Sequence, residues 1–229
     1  EIHWRDWSSD VCSSDLATFV HVSGLFAAHV TGNFVLFAAA LSRGVAAEDF
    51  LKLLTFPVFV IAVLLGTVIH ERASRRAPAG AYLRVLGVEG ALLLGVGLVA
   101  LAVSLQRGSI DLGTLDVALS FVLVVAMGLQ NSAHRFVPGP MTTVMTGNVT
   151  QLTALVGAAV FGREPAGAKE HAAPTPWTPT VVLLLGFAAG CLASAVATAA
   201  WGLATALACG VLVVVTVALE RRPRGGETE

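Results

Sequence analysis

Long runs free of Asp, Glu, Lys and Arg alternate with short charged segments along this chain. Seven runs stand out: Ala17 to Ser42, Leu53 to Ile69, Gly90 to Gln106, Val117 to Ala133, Pro140 to Phe161, Thr180 to Ala200 and Leu203 to Leu219. About 20 apolar residues carry a helix across a bilayer core, so each run predicts a membrane helix or part of one. The runs exceed strand length and lack the alternation of a membrane barrel. The third extends back toward Val85 if Glu89 is taken inside it. The last two form one uncharged stretch split by Trp201-Gly202. As a single helix that stretch would be about 60 Å long, twice the hydrocarbon core, so it predicts a helical hairpin. The expected fold is all-α, a polytopic transmembrane bundle of about six to seven segments.

Composition agrees with a lipid solvent. Of 229 residues, 55% are hydrophobic and 13% charged, against roughly 25% charged in soluble domains. Mean hydropathy is +0.79. A formal net charge of −1 carries no nucleic-acid footprint. Cys12, Cys191 and Cys209 show neither zinc-ligand spacing nor a disulfide framework, and the latter two lie in apolar runs where a thiol packs as a small hydrophobe. No GxSxG, HExxH, P-loop or dinucleotide fingerprint occurs. The expectations are no enzyme activity, no catalytic residue, no metal and no cofactor.

Val30-Thr31-Gly32-Asn33 recurs as Met145-Thr146-Gly147-Asn148, each copy inside an uncharged run and each followed by two further hydrophobic segments. The chain therefore reads as two repeated halves, 17–106 and 117–219, within one domain over 17–219, followed by a cytoplasmic tail, 220–229. Gly disfavours helix and Thr and Asn bring polar groups to membrane depth, so the motifs predict helix breaks. Corresponding interrupted helices in two halves point to a transporter site near the midplane. Loop charge bears on the orientation of the repeats. If one segment of the second half is re-entrant, Arg72, Arg75, Arg76, Arg84, Arg163, Lys169, Arg221, Arg222 and Arg224 share one side, and Arg43, Lys52 and Arg107 the other, a 9 to 3 split. If every segment crosses, the split is 8 to 5. The first arrangement predicts inverted halves with a cytoplasmic C-terminus.

The densest polar cluster at membrane depth comprises Gln130, Asn131, His134, Arg135, Thr142, Thr143, Thr146, Asn148, Thr150 and Gln151. Such groups either line a pathway or bond helices together. Candidate solute-binding residues are Thr31, Gly32, Asn33, Gln130, Asn131, Arg135, Thr142, Thr146, Gly147 and Asn148. Arg135 would act as counter-ion or else snorkel to the interface. His29 offers a titratable imidazole for a proton relay, or a plain interhelical hydrogen bond. Glu89 is expected near a helix start, facing water or complementing the dipole. Gly95, Gly97, Gly186 and Gly190, with Ala193 and Ser194, suit close helix packing. The arginines from 72 to 76 read first as a topology signal, with anionic-lipid contact secondary.

Residues 6–16, Asp6-Trp7-Ser8-Ser9-Asp10-Val11-Cys12-Ser13-Ser14-Asp15-Leu16, resemble the translated end of a short-read sequencing adapter joined in frame, so residues 1–16 are expected to be a non-native tail. From Ala17 onward, Thr18-Phe19, Gly24, Phe26, Val30-Thr31-Gly32-Asn33, Val35-Leu36 and Ala40-Leu41 resemble the opening signature of the YoaK-type bacterial membrane proteins. Ala126-Met127-Gly128-Leu129-Gln130-Asn131, Thr142-Thr143 and Thr146-Gly147-Asn148 resemble that family's central signature. The resemblance implies a small polytopic inner-membrane protein of unknown function. It also implies a Gly-Tyr-Val-Asp-Ala stretch ending a preceding helix. Only Asp15 falls at the Asp column, and its counterpart in the second half is Asn131.

These readings converge on a transporter or permease-like protein for a small polar or anionic solute. The rival is a non-transporting scaffold or regulatory protein in which the motifs only pack helices. Expected partners are the lipid bilayer, an unidentified solute or ion, and a second copy of the chain, with no nucleic acid.

Overall fold

A computed structural model describes residues 7–78, 80–107, 113–137, 145–161 and 177–221. These residues form α1 (Trp7–His21), α2 (Val30–Leu41), α3 (Asp49–Ser74), α4 (Tyr82–Arg107), α5 (Thr114–Ala133), α6 (Met145–Phe161), α7 (Trp177–Trp201) and α8 (Ala206–Glu220). Single 3-10 turns follow α5 and α7, and no strand occurs among the described residues. Four stretches are long and apolar enough to cross a membrane: Asp49–Ser74, Tyr82–Leu105, Thr114–Phe136 and Thr180–Glu220.

Within the described residues the uncharged runs are helical apart from the interruptions noted next. The first run is divided. Helix α1 stops at His21, Ser23 and Gly24 turn the chain through φ values of 46° and 78°, and α2 begins at Val30. Both Thr-Gly-Asn motifs occupy the first turn of a helix, α2 and α6. In the first half the break lies just upstream of the motif, across residues 22–29. The stretch from Thr180 is interrupted at Trp201–Thr205, where Gly202 has φ +55°, as its length demands. Helix α4 starts at Tyr82, earlier than the charge-free run suggests, so Glu89 sits two turns inside and is wholly buried.

The principal helix contacts cross between the two halves: α1 packs on α7, α3 on α5 and α4 on α8. Phe59 and Ala62 of α3 meet Gly128, and Gly66 meets Leu129 and Ser132, so α3 and α5 run parallel. Ser13 O accepts from Ser194 Oγ at 3.5 Å and His21 Nε2 lies 3.4 Å from Thr198 O, so α1 and α7 also run parallel. Helices α4 and α8 are antiparallel. Gly97 lies against Leu207, Leu94 against Gly210, Gly90 against Val213 and Val214, and Leu83 O accepts from Arg221 Nη2 at 3.3 Å. The α3–α4 connection and the end of α8 therefore share one end of the bundle.

Lipid is as apolar as Leu, so burial alone drives helices together weakly in a bilayer and close backbone approach must supply attraction. The glycines provide it. A Cβ on Gly97 would stand 2.3 Å from Leu207 N, one on Gly128 2.5 Å from Ala62 Cβ. The enclosed core gathers Leu86, Leu93, Leu123, Met127 and Leu203. Leu54, Ile61, Leu64 and Leu65 of α3, and Leu185, Leu192 and Val196 of α7, point outward. So large an apolar exterior fits a lipid surround.

Candidate solute site at the helix breaks

Helix α2 has no side-chain cap of its own at His29, yet its entering N–H groups need acceptors. Asp15 of α1 supplies them for the two residues just ahead of the helix. Its Oδ1 accepts from Ala28 N at 2.6 Å and from His29 N at 3.4 Å, while Oδ2 pairs with His29 Nδ1. A carboxylate here also complements the positive end of the α2 dipole. The reversal at Ser23-Gly24 makes this contact by bringing residues 28 and 29 back beside α1. It is held by Phe19 and Phe26, whose rings lie 4.9 Å apart, and by Ser23 Oγ, which donates to Glu48 Oε2 at 2.6 Å.

The motif now has a local explanation. Asn33 is wholly buried. Its Oδ1 accepts from Phe26 N at 2.9 Å, and its Nδ2 donates to Phe26 O at 2.8 Å and to Thr55 Oγ1 at 2.9 Å. One amide thus replaces the backbone partners that Phe26 lost at the break and ties the segment to α3. Gly32 leaves room for the Phe26 ring, which would stand 3.1 Å from a Cβ there. Thr31 is exposed.

A cavity of about 490 Å³ opens at the break, lined by Asp15, Leu16, Phe19, Phe26, His29, Phe187 and Cys191. Its walls are aromatic and apolar and its polar feature is the carboxylate–imidazole pair. That composition, an apolar pocket with a few convergent polar groups, is common among small-molecule sites. Sequence reasoning singled out His29, placed Asp15 at the family's Asp column but inside the expected non-native tail, quoted Phe19 and Phe26 only as signature residues, and did not single out Phe187.

The second-half candidates are more dispersed. Gln130 is wholly buried on α5 and Asn131 half-buried beside it. Arg135 is exposed in the following turn, next to Phe136, whose ring stacks on His70 with centroids 3.5 Å apart. Thr146 and Gly147 are exposed in the first turn of α6, whereas Asn148 is buried, its Nδ2 3.8 Å from Met145 Sδ. Thr142 and Thr143 lie outside the described residues. Cys209 is buried on α8, but Cys191 is disulfide-bonded rather than a plain packing residue. No metal-ligand group of three or more His, Cys, Asp or Glu occurs among the described residues.

Comparison with known proteins places these features in a family. A family model described as "Protein of unknown function (DUF1275)" matches residues 13–219, Asp15 included. The UPF0700 transmembrane protein YoaK of Bacillus subtilis (strain 168) is 24% identical over 149 residues, a match covering 64% of this chain and 63% of that protein. The chain thus spans somewhat under two thirds of that relative's length. No solved structure matches it. Matched over nearly all its length, this multi-pass membrane protein belongs to the DUF1275 family, whose function is unknown.

Proposed function

We propose that the protein moves a small polar or anionic solute across the bacterial inner membrane, binding it in the cavity at the α1–α2 break. The observation that carries this reading is the Asp15–His29 pair at the mouth of an interrupted membrane helix, in an aromatic-walled cavity of about 490 Å³. Imidazole titrates near neutrality and touches a carboxylate here, so the pair is suited to taking up and releasing a proton as the solute binds. Inverted halves fit the helix directions. Helices α4 and α8 are antiparallel about a point near Gly95 and Gly210, while α3 on α5 and α1 on α7 are equivalent parallel pairs, as a two-fold axis in the membrane plane would produce. The shared end holding Arg72, Arg75, Arg76, Arg84 and Arg221 is then cytoplasmic by the positive-inside rule.

A second reading has its own support. Every polar atom of the Asn33 amide is engaged inside the protein, which favours a motif that locks helices in a non-transporting scaffold. Proteoliposomes decide between them. The gene, resequenced through codons 1–16, is expressed, and the protein is reconstituted with an entrapped pH dye and challenged with a panel of small polar and anionic solutes. Transport expects at least one solute to move protons, with His29→Gln and Asp15→Asn abolishing the signal while the protein still folds. A silent panel, with both variants altering thermal stability alone, favours the scaffold.

A further inference from the structure

The end of α3, the residues just after it and the first turn of α4 line a second, open cavity of about 510 Å³, formed by Ile69, Arg72, Ala73, Arg75, Arg76 and Arg84. Four arginines, Arg72 and Arg84 from the helix ends and Arg75 and Arg76 from the connection between them, therefore line one space. Among the described residues none of the four makes an ion pair or a side-chain hydrogen bond. Glu71 is exposed on the same helix but does not line the cavity. Like charges lining one cavity repel, and an anion that accepts from them removes the repulsion. Planar guanidinium forks match phosphate oxygens two at a time.

The position of the cavity narrows the ligand. The membrane-length stretches on either side end at Ser74 and begin at Tyr82, which puts the arginines at headgroup level. Directly beneath, Leu64, Leu65 and Val68 expose an apolar strip along α3, and Ile69 continues it to the cavity wall. A ligand filling both features has a phosphate head and hydrocarbon chains. Basic pockets between membrane helices take up anionic headgroups in this way.

We propose that the Arg72–Arg75–Arg76–Arg84 cavity is a binding site for an anionic phospholipid headgroup carrying two phosphates, with its acyl chains along the outer face of α3. This inference does not depend on the transport reading, since it concerns a different cavity. The test is native mass spectrometry on the full chain in neutral detergent, titrated with cardiolipin, phosphatidylglycerol, phosphatidylcholine or pyrophosphate. One cardiolipin retained in preference to the other lipids, with pyrophosphate far weaker, is the expected result. Arg72→Gln and Arg84→Gln, one from each helix, should each weaken cardiolipin about fivefold. Replacing all four by Lys should keep general attraction to anionic lipid yet erase the preference for cardiolipin over phosphatidylglycerol. Unchanged cardiolipin retention in both single variants overturns the site. Equal binding of pyrophosphate makes it a soluble-phosphate site and overturns the lipid assignment. If the variants only misorient the protein, and correctly inserted molecules bind as the wild type does, the arginines are topology signals and the proposal fails.

Discussion

Replacing Asn33 by Ala removes three hydrogen bonds at once and gives the sharpest test of what the motif does. Phe26 would lose partners for both its N–H and its C=O, and Thr55 Oγ1 would lose a donor while still donating to Lys52 O at 2.6 Å. A buried backbone group left unsatisfied costs about 1–3 kcal/mol. Hydrogen bonds between membrane helices average nearer 0.6 kcal/mol. Phe26 is half-buried, so the lower part of the first range applies to its two groups and the second figure to Thr55. The sum is about 2–4 kcal/mol of lost stability. Thr55→Ala alone should cost about 0.5–1 kcal/mol, and a double-mutant cycle should return a coupling of similar size. Unfolding in mixed detergent micelles, followed by circular dichroism, measures all four proteins. Asn33→Asp keeps the Oδ1 acceptor but sets a carboxylate oxygen against Phe26 O, so it should be at least as damaging as Ala. An Asn33→Ala protein within about 0.5 kcal/mol of wild type would refute the lock and return Asn33 to solute binding.

Other outcomes follow from the same geometry. Gly210→Ala places a Cβ 2.6 Å from Leu94 N, whereas at Gly95 nothing lies within 4 Å, so the first should lose about 1–3 kcal/mol or fail to accumulate and the second should behave as wild type in size-exclusion chromatography. Gly66→Ala drives a Cβ to 1.9 Å from Ser132 Oγ, and Ser132→Gly in the same chain should recover part of the loss, measured by the same unfolding assay. In a variant whose own cysteines are replaced, single cysteines at Gly167 and Gly225 should label from the cytoplasm and one at Gly108 from outside; labelling of all three from one side would refute inverted halves. Thr146→Ser and Asn148→Asp should spare expression yet alter flux if α6 contributes to the pathway, and should change expression alone if it only packs.

The membrane runs were legible because a charge costs so much in hydrocarbon that its absence over 17 or more residues dominates any other signal, as from Leu53 to Ile69. The interruption at Trp201-Gly202 followed from length in the same way. Contacts made by the chain's reversal were not legible. Asp15 and His29 are 14 residues apart and meet only because Ser23 and Gly24 adopt positive φ. Periodicity cannot express that turn. Residues 7–16, serine-rich and acidic, carry no membrane pattern, yet they form the first part of α1, which stands beside α7 as α5 stands beside α3. The glycine stripe was legible as a class and not by member: Gly97 touches backbone and Gly95, two residues away, meets open space. Phase on a helix is readable, but which phase faces a neighbour depends on the neighbour's position.

The pairing of helices across the two halves also determines how this protein can be made. Within the first half, α3 packs on α2 and slightly on α4, but its main neighbour, α5, is synthesised later, and α1 waits for α7. The halves are interleaved rather than stacked side by side. An insertion intermediate that has released α1 to α4 from the translocation machinery therefore presents to lipid the glycine-lined backbone of Gly66 and Gly97, surfaces shaped for protein and poorly filled by acyl chains. Such an intermediate should be held by the insertion apparatus or degraded. A gene divided between Arg107 and Thr114 should then yield two polypeptides that persist in the membrane only when they are produced together.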